Sequence, residues 1–104
     1  MKFKLIFYVP ENACERVKEA IFETGAGSIG NYSHCSFQVK GQGQFRPLES
    51  SNPSIGQINK IEKVSEYRVE ILCLKEQLDD AISALKGSHP YEEVAYEVIS
   101  IENY

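Results

Sequence analysis

Two histidines, three cysteines and the adjacent carboxylates Glu92 and Glu93 are the groups in this 104-residue chain with distinctive chemistry. His34 and Cys35 follow the glycine-rich run Gly25-Ala26-Gly27-Ser28-Ile29-Gly30. His89 opens the block His89-Pro90-Tyr91-Glu92-Glu93. His34, His89 and Glu93 together would be a sufficient donor set for a divalent metal ion. With His34 and His89 as the ligands and Glu92 or Glu93 as base, the same residues would support metal-assisted hydrolysis. Nothing in the spacing makes these residues converge. Neighbours on a strand point to opposite faces, so His34 and Cys35 cannot hold one ion together. No serine or cysteine has a recognisable base beside it. Binding is therefore favoured over catalysis, and no residue is assigned a catalytic role.

The pattern Gly25-x-Gly27-x-x-Gly30 matches a dinucleotide fingerprint in letters only. That fingerprint must leave a strand and open a helix, whereas here it leaves a helix and enters a strand. A turn that needs positive φ is the better reading. The segment from Lys40 to Lys60 has more content. It holds Lys40, Arg46 and Lys60 against Glu49, a local excess of two positive charges in a chain of net charge −4. Phe45, Leu48 and Ile55 are too apolar for a merely solvated loop. Tyr32, His34, Phe45, Arg46, Tyr91 and Glu92 are the expected ligand contacts, because they fall at element ends and loops, where sites are built.

The elements that position these residues follow from periodicity. Residues 3 to 9 form an apolar strand stopped by Pro10. A helix is expected over 12 to 24, with Asn12 and Glu15 as a capping box and Gly25 at its end. Alternation from Tyr32 to Val39 predicts a second strand, with Cys35, Phe37 and Val39 on the core face. Residues 40 to 57 read as a long connection. A third, central strand is expected within 58 to 74. A second helix carries Leu78, Ala81, Ile82 and Leu85 and is expected to end at Gly87. A last strand spans 94 to 101. The order βαββαβ predicts an α+β ferredoxin-like sandwich, a four-stranded antiparallel sheet with both helices on one face. Residues 1 to 104 make one domain.

Composition bounds the partners. With 42% hydrophobic and 25% charged residues, the chain can build a core without metal or disulfide. Its negative charge argues against nucleic acid or an anionic membrane, and no apolar run could span a bilayer. Three cysteines without paired spacing fit reduced thiols and a cytoplasmic location. Cys14 and Cys73 are expected to be small buried hydrophobes.

Four ordered blocks carry a resemblance over nearly the whole chain: Gly25-Ala-Gly27-x-x-Gly30-Asn31-Tyr32-Ser33-His34-Cys35-Ser36-Phe37, Gly43-x-Phe45-Arg46-Pro47-Leu48-Glu49, Asn52-Pro53-x-Ile55-Gly56 and His89-Pro90-Tyr91-Glu92-Glu93-x-Ala95-Tyr96. They resemble the YqfO-type domain inserted in Nif-three-like proteins, a family also described as GTP cyclohydrolase type-two-like. The resemblance implies a fold similar to the CutA and PII trimeric signalling proteins, and hence a homo-oligomer, most simply a trimer. The family's dinuclear metal centre belongs to a flanking domain whose residues have no counterpart here, so the chain looks like a free-standing insert. The implied role is a non-catalytic binding or regulatory domain that takes a divalent metal ion or small ligand. The alternatives are a metal-dependent hydrolase and an interaction module docking a protein partner through residues 40 to 57.

Overall fold

The computed structural model describes residues 1–104. The first strand, β1 (Lys2–Pro10), is followed by a short 3-10 turn (Glu11–Ala13) and helix α1 (Cys14–Phe22). Strands β2 (Phe37–Phe45) and β3 (Glu62–Leu74) come next, then helix α2 (Lys75–Ser88) and strand β4 (Tyr96–Ile101). The four strands form one antiparallel sheet in the order β2-β3-β1-β4. This is the ferredoxin-like α+β arrangement expected from the sequence.

Alternation decides which residues make the core. Leu5, Phe7 and Val9 of β1 and Val69, Ile71 and Cys73 of β3 point to the helix side. There they meet Cys14, Val17 and Ile21 of α1 and Ala81 and Leu85 of α2, all fully buried. Burying the Val, Leu, Ile and Phe side chains among these contributes roughly 1.5–3 kcal/mol each. On the opposite, uncovered face Ile6 sits between Glu70 and Glu97 and is itself buried. The rest of that face mixes Phe37, Val39 and Ile99 with the ion-paired Lys4, Glu70 and Arg68.

Four local expectations are corrected. Asn12 does not cap α1: no side chain does, and Glu15 instead pairs with Lys18 at 3.1 Å. A Glu–Lys pair at i,i+3 competes for the carboxylate the capping box needs. The second strand starts at Phe37 rather than Tyr32, because Ile29 and Tyr32 close a local bridge and His34 takes φ +58°. Its faces are reversed: Phe37 is 64% exposed, whereas Gln38 turns inward and reaches Lys18 and Cys14. A register offset of one residue is enough to swap faces. Finally, α2 runs through Gly87 to Ser88, where Pro90 prevents its continuation.

The turn between α1 and β2 requires its glycines. Gly25 and Gly27 adopt φ of +95° and +82°. A side chain on Gly27 would also strike the Phe22 ring. Gln77 fastens this turn to α2 by donating to the Gly25 carbonyl at 2.9 Å. The first six residues of the predicted long connection are regular strand: β2 continues to Phe45 and leaves residues 46 to 61 as the loop. Because β1 ends opposite Glu66, the last four residues of β2 and first four of β3 form a two-stranded arm beyond the core.

Candidate functional site

The arm, the loop and the segment before β4 enclose a cavity of about 780 Å³. Phe45 and Arg46 enter it from the end of β2, and Pro47, Leu48, Pro53 and Ile55 line it from the loop. Tyr91, Glu92 and Glu93 close the far side, and Tyr8 and Glu66 form its floor. The Phe45 and Tyr91 rings lie 5.7 Å apart, tilted by 59°, a geometry that favours aromatic contact.

Tyr91 is held from three directions. Its hydroxyl donates to Glu66 Oε2 at 2.9 Å. Its backbone N–H donates to His89 Nδ1 at 3.1 Å. Its ring packs on the His89 ring at 4.9 Å. Burial and the Glu66 carboxylate both push the phenol well above its ordinary pKa, so it remains a donor. Glu66 in turn lies against Gly43, where an added Cβ would collide with the carboxylate. Glu92 accepts the backbone N–H of Asn52, at 3.0 Å for the nearer oxygen, and so ties the loop across the cavity. Arg46 is exposed and takes part in no ion pair.

Of the residues expected to bind ligand, Phe45, Arg46, Tyr91 and Glu92 come together here. Tyr32 and His34 do not. Tyr32 is 76% exposed in the turn before β2. His34 packs on the Phe22 ring at 4.9 Å, with Glu19 3.5 Å from Nε2 and Ser33 3.0 Å from Nδ1. Its turn is bonded through Gly27 to Leu72, which lies opposite Lys4 of β1. His89 is bonded to Tyr8, four residues further along β1 and about 13 Å away at the strand rise.

The expected metal set of His34, His89 and Glu93 is therefore not assembled within one chain, and no group of three or more His, Cys, Asp or Glu is gathered anywhere. His89 is 7% exposed, and both its ring nitrogens are engaged by backbone groups. These residues do not fit a metal centre, and no chemistry is routed through one. Glu93 lines the cavity edge alone.

Sequence reasoning missed Tyr8, Glu66 and Asn52. Glu66 could have been noticed as a carboxylate in a central strand, paired with Gly41 two residues before Gly43. Asn52 acts through its backbone, which leaves no mark in the sequence.

No family model matches the chain. It is 44% identical over 99 residues to the GTP cyclohydrolase 1 type 2 homologue of Bacillus subtilis, covering 95% of this chain and 26% of that protein. It is 41% identical over 98 residues to the one from Mycobacterium tuberculosis, with 94% and 26% coverage. The chain thus spans about a quarter of the length of these curated relatives. Among solved structures, the Bacillus cereus protein related to NIF3 superposes with a TM-score of 0.83 at 38% identity, over 98% of this chain and 26% of that one. The periplasmic divalent cation tolerance protein CutA from Archaeoglobus fulgidus superposes with a TM-score of 0.71 at 18% identity, over 100% and 87%.

Proposed function

We propose that this chain, homologous to the CutA-like segment of the GTP cyclohydrolase 1 type 2 homologues of the NIF3 family, is a non-catalytic domain that binds a small organic ligand. The observation that carries the proposal is the cavity between Phe45 and Tyr91, with the unpaired Arg46 at its mouth. A cleft of this size, apolar with a few convergent polar groups, is the ordinary form of a ligand site. Two tilted rings favour a flat apolar body. Arg46 suits a carboxylate or phosphate, and Glu66 and Glu93 suit N–H or O–H donors on the same ligand. Nothing in the cavity pairs a nucleophile with a base, so the role of the site is recognition.

The test is an NMR screen of flat-ring acids against labelled protein. Binders are expected to shift the amides of Phe45, Arg46 and Tyr91. The substitution Arg46→Ala should weaken them by on the order of tenfold, since a charge-assisted hydrogen bond is worth about 1.5–3 kcal/mol. Shifts confined to residues outside the cavity, or affinity indifferent to Arg46→Ala, would remove the proposal.

The second part of the proposal is self-association through the uncovered sheet face, which a second copy of the chain would cover. It is supported by Phe37, Val39 and Ile99, each about half exposed or more on that face.

A further inference from the structure

We infer that His89 is a proton-operated latch on the cavity wall: a neutral imidazole holds Tyr91 in place, and a protonated one releases it. The inference rests on the cavity being the binding site and adds how that site is regulated.

The hydrogen bonds fix the tautomer. His89 Nδ1 is 3.1 Å from the Tyr91 backbone nitrogen, whose N–H can only donate. Nδ1 must therefore carry the lone pair. Nε2 lies 2.8 Å from the Tyr8 carbonyl oxygen, which can only accept, so Nε2 carries the proton. Every ring position is thus specified, and the ring is nearly inaccessible to water. Adding a proton places two donors head to head at Nδ1. That bond cannot survive, and a second buried donor is left without a partner.

The charges around the ring set the direction of response. Glu66 of β3 favours the protonated form, and Arg16 of α1, which donates to the Ser88 carbonyl at the end of α2, opposes it. The Tyr8 carbonyl of β1 favours the proton already on Nε2. Burial outweighs these and holds the pKa below the ordinary 6.5. Glu66 is also the acceptor of the Tyr91 hydroxyl. An imidazolium attracts that carboxylate, so protonation weakens both hydrogen bonds of Tyr91 and with them the Phe45–Tyr91 wall. A His whose folded pKa is depressed stabilises the native arrangement fully above its unfolded value. The contribution is lost as pH falls from about 6.5 through the lowered folded value.

The experiment is a pH titration of the ligand-free protein between about pH 8 and 5, following the His89 ring and backbone amides by NMR. The Tyr91 and Phe45 amides should move with the same midpoint as the His89 ring, below pH 6.5, while core amides of Phe7 and Ile71 stay fixed. In His89→Asn, the side-chain oxygen can still accept the Tyr91 N–H and does not titrate, so the inflection should vanish. A His89 ring that titrates without the Tyr91 amide would overturn the inference. So would an inflection that persists in His89→Asn, or core amides that move together with Tyr91. Because no ligand is present, a failed ligand screen leaves this result intact, and a failed latch leaves the ligand screen intact.

Discussion

At the scale of single residues, burial separates the three cysteines. Cys14 and Cys73 lie in the core, and burial raises both thiols, that of Cys73 to about 11. Cys35 is half-buried in the turn before β2. Since the thiolate is the reactive form, alkylation of native protein at neutral pH should label Cys35 alone, with Cys14 and Cys73 reacting after denaturation. Peptide mapping after a short iodoacetamide pulse checks this. Early labelling of Cys73 would contradict the packing of β3. The burial of Cys14 and Cys73 was legible in the sequence because a reduced cysteine behaves as a small hydrophobe and is most often buried. The fates of His34 and His89 were not legible. One lies exposed on a turn and the other inside a backbone hydrogen-bond network, and each has one partner far away in sequence, Glu19 for His34 and Tyr8 for His89.

At the scale of elements, the loop over 46 to 61 is a distinct unit held largely by its own turns. Ser51 bonds the Leu48 carbonyl, Asn59 the Pro47 carbonyl and Lys60 the Gln57 carbonyl. The hydrogen bond that crosses the cavity is the one from Asn52 to Glu92. Glu92→Ala removes that acceptor at an exposed position, so a cost of about 1 kcal/mol is expected. The loss should appear as local opening, with amide exchange at Asn52 accelerated by roughly fivefold or more and the thermal midpoint little changed. Unaltered exchange would mean that apolar packing of Leu48 and Ile55 alone closes the loop. The sequence marked this loop as functional from its apolar and basic residues. It placed the start of the loop at 40 rather than 46, because the alternation of β2 is blurred by Gly41 and Gly43, which give no face.

At the scale of the whole molecule, the shape is elongated, at 46 × 24 × 24 Å, with a radius of gyration of 14.6 Å. A compact chain of this length would have a radius of about 13 Å. The excess comes from the β2–β3 arm, which carries the cavity outward from the core. An arm of two strands gains little stability alone, and the uncovered face beside it exposes Phe37, Val39 and Ile99. The proposed self-association predicts a native mass above 11.8 kDa, and Phe37→Asp together with Ile99→Asp should shift it to the monomer without unfolding the domain. A wild-type protein that is monomeric at high concentration by native mass spectrometry would refute the assembly.

The sequence by itself determined the strand and helix order, the periodic core residues of β3, α1 and α2, and the glycine turn. Those follow from periodicity and local backbone chemistry, which short stretches of chain carry alone. Tertiary structure decided which polar residues share a site. It separated His34 from His89, joined Tyr8, Glu66 and Tyr91, and closed the loop through a backbone N–H. Such meetings depend on strand register and on where the arm folds back, and both are set by the packing of the whole sheet.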